Sequence, residues 1–289
     1  MKLTRLQAIS ELFAQYQVKK TNKESLLIMV DDVEIAERVY NSNAIENSTL
    51  TLPETEKILL QLEINRHISF REVFEAKNLA QVYGYIKNNA SQKPLSIEMI
   101  LLLHKMLLTN IYDEVAGRFR AGNEMVRVGN HIGLPPQFIN QRIQELLVKY
   151  NSNIKTFFIH KIARLHDEFE SIHPFVDGNG RIGRVLNNYL LIREGFPPMI
   201  VRNKEKEAYY QALQAYDEMR NFKPMVRVVE LAVLESLHKR LAYLDGLQII
   251  PLAEYAVKQK RSFHTLLNSS RRQTIPAFRE RGVWKIGEK

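Results

Sequence analysis

His173-Pro-Phe-Val-Asp-Gly-Asn-Gly-Arg-Ile-Gly-Arg184 decides the reading of this chain. It brings an imidazole, a carboxylate, a carboxamide, glycines and two guanidinium groups into one short stretch. Apolar residues recur at three- and four-residue steps on both sides of it: Phe157, Ile162, Leu165 and Phe169 before, and Ile182, Val185, Leu186, Tyr189 and Leu190 after. The stretch therefore joins two helices. A helix that starts behind glycines, with arginines just inside, suits phosphate: its first N–H groups point outward and its dipole favours negative charge. The segment reads as an active site for nucleotide chemistry.

Each residue has a chemical task in that reading. His173, an imidazole that titrates near neutrality, accepts the proton of an attacking hydroxyl. Gly178 and Gly180 permit the tight curvature that aims successive N–H groups at oxygen. Asn179 donates its side-chain amide to a charged phosphate. Arg181 and Arg184 present guanidinium forks to phosphate oxygens. Asp177 offers a hard oxygen to magnesium, which takes one or two carboxylates plus phosphates. Pro174 and Phe175 orient the loop and anchor it in the core. His160, His166 and His173 lie six and seven residues apart, not the four that brings two metal ligands to one helix face.

Most of the remaining chain reads helical. Thr51-Leu-Pro-Glu-Thr55 is a helix start with Pro53 in the first turn, and Ser96 is an N-cap. Gly117 to Pro136 departs from this pattern with four glycines and two prolines. Met125-Val-Arg-Val128 followed by Gly129-Asn130 predicts an exposed β-hairpin there. Pro251 to Lys260 predicts one short helix, and Ser262 caps a second through Arg271 with Phe263, Leu266 and Leu267 turned inward. A weakly alternating hairpin closes the tail around Arg281-Gly282.

The chain has 289 residues, a net charge of +9 and no cysteine, which excludes disulfides and thiolate metal sites. No run reaches the ~18 apolar residues of a membrane helix, and Met1 to Ser10 holds no apolar core of a leader. The expected location is the cytoplasm. Basicity is concentrated at the end: Gly246 to Lys289 carries nine Lys/Arg against three Glu, a net of +6. Nucleic acid is one reason for such a tail.

His173 to Arg184 resembles the signature of Fic domain proteins, His-x-Phe-x-(Asp/Glu)-Gly-Asn-Gly-Arg-x-x-Arg, at every fixed position. The resemblance extends from about Ala36 to about Leu244. It implies an all-α fold, a Fic helical bundle with a short β-hairpin flap, and transfer of AMP from ATP to a Tyr, Ser or Thr hydroxyl of a target protein. By position, His173 would be the base and Asp177 the Mg2+ ligand. Gly178, Asn179 and Gly180 would cradle the α-phosphate, and Arg181 and Arg184 the outer phosphates. Arg118 to Leu134 resembles the flap that pairs with an extended target segment. Asn41-Ser-Asn-Ala-Ile-Glu-Asn47 resembles the family's inhibitory helix, with Ser42 and Glu46 on one helix face. That resemblance implies that Glu46 bridges Arg184 and keeps the ATP γ-phosphate out of place.

The expected organisation is a helical N-terminal region with the inhibitory segment 41–47 (1–90), a Fic core (91–245) and a basic winged helix-turn-helix-like module (246–289). On that module His264, Thr265, Asn268, Arg271 and Arg272 would face outward toward DNA. The alternative is a packing module that positions a protein target or supports a homodimer. Two other functions remain open at this point: a DNA-binding regulator with a nucleotide-binding Fic core, and removal of AMP or transfer of another phosphate-containing group at the same site.

Overall fold

The computed structural model describes residues 4–64 and 66–289, and helices dominate them. In chain order they are α1 (Arg5–Lys19), α2 (Glu24–Ile45), α3 (Leu52–Leu59), α4 (Phe70–Asn89), α5 (Ile97–Leu108), α6 (Pro136–Ser152), α7 (Phe158–Ile172), α8 (Asn179–Arg193), α9 (Lys206–Met219), α10 (Lys223–Leu244), α11 (Leu252–Lys258) and α12 (Phe263–Arg271). The strands are β1 (Arg127–Val128), β2 (His131–Ile132), β3 (Gln248–Pro251), β4 (Ala277–Glu280) and β5 (Val283–Glu288). No helix among the described residues is long and apolar enough to cross a membrane. The fold divides into two compact units. One holds Arg38–Glu194 and Val201–Val229; the other holds residues up to Glu37, Gly195–Ile200 and Glu230–Lys289.

In the first unit, α8 carries the arginines of the motif and is the most deeply enclosed helix. Asn179 and every residue from Arg181 to Leu191 are buried. A helix buried on all sides needs neighbours all round, and α4, α5 and α7 supply them. Its polar side chains then have to find partners inside the protein, which ties Arg181, Arg184 and Asn187 to fixed acceptors. Helix starts follow local chemistry. Thr51 and Glu54 form a reciprocal capping box with Pro53 in the first turn, and the Ser96 hydroxyl accepts from the Met99 N–H.

The predicted hairpin is present but small. β1 and β2 pair antiparallel through two residues each, Arg127 with Ile132 and Val128 with His131, around Gly129 in the left-handed region. Its roots are sewn to the motif: Arg120 N–H donates to the Pro174 carbonyl (2.9 Å) and Leu134 N–H to the Ile172 carbonyl (3.1 Å).

The second unit contains the tail. β3, β5 and β4 form a three-stranded antiparallel sheet in that order, with Ile250 opposite Ile286 and Ala277 on its other side. Leu252, Ala256 and Leu266 complete a small core against these residues. The strand β3 was not expected from sequence, because Gln248–Pro251 is too short to show alternation. Phe263 was expected inside and is 39% exposed. It opens α12, and the inward line of that helix runs through Leu266 and Ser270 instead. His264, Thr265, Asn268, Arg271 and Arg272 are exposed. The hairpin is less basic in effect than in composition: Arg279 pairs with Glu235 (2.6 Å) and Lys285 with Glu280 (2.8 Å).

The same unit encloses Arg240, 1% exposed at its side chain, which donates to Asp31 and Glu34 at 2.6 Å each. Lys239 also reaches Glu34, at 3.0 Å. Burial works against the Arg240 charge, but the two carboxylates outweigh it and raise its pKa. Removing one partner of a buried ion pair costs about 3–5 kcal/mol because the other charge is left uncompensated. Arg240→Ala is therefore expected to lower stability by about that much, read as a fall in the urea midpoint. A midpoint within error of the parent would mean that Lys239 alone satisfies both acids.

Candidate active site

The motif is an interhelical loop held by its own side chains. α7 ends at His173, whose backbone is left-handed (φ 51°) and whose N–H caps the helix at the Phe169 carbonyl (3.0 Å). Gly178, at φ 82°, turns the chain into α8, a conformation that glycine adopts without steric cost. Asn179 closes the loop between them. Its Oδ1 accepts from Phe175 N–H (2.8 Å) and its Nδ2 donates to the Phe175 carbonyl (2.9 Å). The Asn179 carboxamide thus has a structural task that the sequence reading did not assign to it, with one Nδ2 hydrogen on the Phe175 carbonyl.

His104, which sequence reading passed over, supports the same loop from α5. Its ring stacks on Phe175 at 3.6 Å. Nδ1 accepts from Gly117 N–H (3.0 Å), so Nε2 carries the proton and donates to the Asp177 carbonyl (3.0 Å). Burial holds the imidazole down to about 4, so the ring is a neutral strut.

His173 presents one nitrogen for chemistry. Nδ1 lies 3.3 Å from the Glu170 carbonyl, which can only accept, so the proton sits on Nδ1 and Nε2 keeps its lone pair. Burial lowers its pKa to about 4, and the cations of His131 and Arg120 add to that. Arg120, buried at the flap root, donates to the carbonyls of His173 (2.9 Å), Glu124 (2.8 Å) and Leu134 (2.7 Å). Nothing in the sequence marks Arg120 apart from the neighbouring Arg118.

Asp177 lies at the entrance of α8. Its Oδ1 accepts from Gly178 N–H (2.6 Å) and from Arg181 Nη2 (3.0 Å), and its Oδ2 from Arg71 Nη2 (2.6 Å). Burial alone would raise this acid, but Arg181 and Arg71 outweigh it and keep the carboxyl below its usual range. Glu75, one turn after Arg71 on α4, meets both arginines at 3.1 Å. No group of three or more His, Asp or Glu side chains suited to a metal occurs among the described residues. Asp177 would be a lone hard donor, a set that fits magnesium only together with phosphate oxygens.

Arg184 joins α8 to the end of α2. Nε donates to the Ser42 hydroxyl (3.0 Å), and Nη2 to the Ser42 carbonyl and Glu46 Oε1 (2.8 Å each). The Tyr209 hydroxyl lies 3.5 Å from Nη1. Burial opposes the Arg184 charge; Glu46 and Tyr209 reverse that and raise the pKa. Glu46 is aimed by the way α2 stops. Asn47 takes a left-handed backbone (φ 66°). Its N–H bonds the Ala44 carbonyl while Ser48 N–H bonds that of Asn43, the double bond of a Schellman cap. A Cβ built on Gly180 would lie 2.2 Å from Glu46 Oε1, so the carboxylate rests directly over the first turn of α8.

A second polar layer lies behind α8. A Cβ on Gly183 would lie 2.3 Å from Glu170 Oε1 and 3.0 Å from the His166 ring. His166 Nδ1 faces the Asn187 amide (3.1 Å) and its Nε2 the Tyr209 hydroxyl (2.8 Å). Burial pushes Glu170 up to about 8 and Asp167 up to about 9, so both are held as neutral acids. His166 and Asp167 are both core residues.

Comparison with known proteins shows what the chain is similar to. Residues 94–191 match the model of the Fic/DOC family. A protein adenylyltransferase Fic of Drosophila willistoni is 31% identical over 253 residues, covering 85% of this chain and 50% of its own. Its counterpart from Nematostella vectensis is 29% identical over 236 residues, covering 79% and 53%. The chain thus spans about half the length of the curated relatives it matches. A Fic domain-containing signaling protein from Bacteroides thetaiotaomicron has a similar structure, with a TM-score of 0.74 at 25% identity, covering 82% of this chain and 97% of that one.

The Asn179 clamp is open to direct test. Asn179→Ala strands the buried N–H and carbonyl of Phe175, each at about 1–3 kcal/mol. Faster hydrogen exchange at the Phe175 amide and a lowered unfolding midpoint are expected. Unchanged exchange at that amide would show that the loop does not depend on the carboxamide.

Proposed function

We propose, from the premise that this chain carries a Fic/DOC family domain, that it transfers AMP from ATP to a hydroxyl of a protein and holds its own site in check through Glu46. The observation that carries the reading is the convergence at the entrance of α8. A base with a free nitrogen, an ionised carboxylate, two buried guanidinium groups and a glycine turn all meet there.

The residues divide the work as follows. The hydroxyl oxygen attacks the α-phosphorus while His173 Nε2 takes its proton, and the bond from the α-phosphorus to the bridging oxygen breaks to release pyrophosphate. Gly178 shapes the turn while its own N–H is held by Asp177 Oδ1; the backbone N–H groups of Asn179 and Gly180 and the dipole of α8 favour the negative charge that builds on the α-phosphate. Arg181 and Arg184 hold the outer phosphates. Asp177 is the residue that would hold Mg2+, which neutralises phosphate charge when bound. With its pKa near 4, His173 is unprotonated throughout the neutral range. Activity limited by this base should hold at neutral pH and fall only as acidity approaches about 4.

The flap suits an extended protein segment. Val128 and Ile132 are more than half exposed on β1 and β2, and the hairpin roots are fixed to the His173 backbone. Strand addition along such an edge aligns a hydroxyl without reading much sequence.

Glu46 acts as the brake in this reading. It neutralises Arg184 and covers Gly180, so a nucleotide must displace a charge-assisted hydrogen bond before its phosphates settle. Glu46→Gly is expected to raise self-labelling from α-labelled ATP, with magnesium, at least tenfold. Adding His173→Ala should abolish it. Equal labelling by the parent and Glu46→Gly would remove the brake. Label entering from the γ-position alone would replace AMP transfer with phosphorylation.

A further inference from the structure

The flap carries a histidine with unusual surroundings. His131 Nδ1 lies 2.9 Å from Asp217 Oδ2, and Nε2 lies 3.0 Å from the Ser171 carbonyl oxygen. A carbonyl can only accept, and so can an ionised carboxylate, so both ring nitrogens must donate. An imidazole with two N–H groups is a cation. Asp217 is suited to receive it. Burial alone would raise Asp217, but the hydrogen bond and charge of His131, with smaller help from Ser171 and Arg220, hold it below its usual range. In return the Asp217 hydrogen bond raises His131 above the usual histidine value.

The surroundings add little net charge of their own. From α9 and the residue that caps it, Asp217 and Arg220 face this ring, and Arg220 Nη1 donates to the Ser171 hydroxyl (3.2 Å). From α6, Arg142, Glu145 and Lys149 line the same cavity of about 500 Å3. Arg142 is paired with Glu145 and Lys149 with Glu168 on α7. From the loop after α7, the His173 ring lies 6.2 Å away, centre to centre. Two imidazolium ions that close repel, and only one of the rings has a carboxylate against it.

We propose that His131 is a positioning residue for His173: a fixed imidazolium, clamped between α7 and α9, that keeps the flap seated and holds the neighbouring ring in its neutral, proton-accepting form. Arg120 and Glu46 also act on His173, but in opposite senses. The consequence for catalysis rests on the AMP-transfer reading; the relation between the two rings does not.

Imidazole NMR of the full chain separates these two. The His173 and His131 signals are assigned by their loss in His173→Ala and His131→Gln, and their midpoints are followed against pH. Two unit charges 6.2 Å apart interact by at least about half a pH unit even at the dielectric constant of water. His131→Gln should raise the His173 midpoint by that much or more. His131→Arg, which keeps the cation, should leave it near the parent value. Asp217→Asn should lower the His131 midpoint. In the Glu46→Gly background, the acid limb of kcat/KM for AMP transfer should move up with His131→Gln and stay with His131→Arg. An unmoved His173 midpoint in His131→Gln overturns the proposal. So does an equal rise in the Gln and Arg variants, which would mean that a loosened flap, not lost charge, exposes the ring. If no form transfers AMP, the reaction reading fails while the midpoints still decide the relation between the rings.

Discussion

A guanidinium enclosed in a helical core has to be met by acceptors, and Arg184 imposes that demand on the rest of its unit. It is 3% exposed and lies in the second turn of a helix covered on every side. Leaving such a charge unpaired costs several kcal/mol. Ser42, Glu46 and Tyr209 meet it from two other helices. The end of α2 is thereby held against the start of α8, and Glu46 is brought over the turn that the reaction would use. The same need explains how a phosphate could replace the carboxylate, since both are anions that accept from a guanidinium fork.

The loop before α8 follows a similar rule, with backbone groups in place of a charge. Phe175 is fully buried, so its N–H and carbonyl require partners, and Asn179 supplies both. His104 supports the carbonyl of Asp177, and Arg120 gathers three more carbonyls from the flap and the motif. These bonds fix the spacing of the histidine, the aspartate and the helix entrance.

Much of this could be read from particular residues. The positions on either side of the motif announced α7 and α8 because a one-sided apolar pattern specifies a helix. Gly178 announced a turn because few other residues take its backbone angle. Ser42 and Glu46 were legible as a pair on one helix face. Asn47 has a physical task in that pattern, since asparagine tolerates the left-handed geometry of the cap that aims Glu46. Phe263 was misread because a residue at the first position of a short helix can face either way, and its neighbours decide. The loop-closing bonds of Asn179 were not legible because a carboxamide suits an anion and a buried peptide group equally well.

By itself, then, the sequence determined the helical character, the position of the loop, the basic tail and the set of groups that chemistry at this site needs. These are properties of local spacing and of side-chain type. Only the tertiary structure decided which group each of them faces. His104, Arg71, Glu75, Arg120, His131, Tyr209 and Asp217 lie far from the motif in the chain, and no local pattern marks them. Burial, hydrogen-bond partners and charge come from what packs beside a residue. Those three quantities push the His173 imidazole down, raise His131 and hold the Asp177 carboxyl below its usual range.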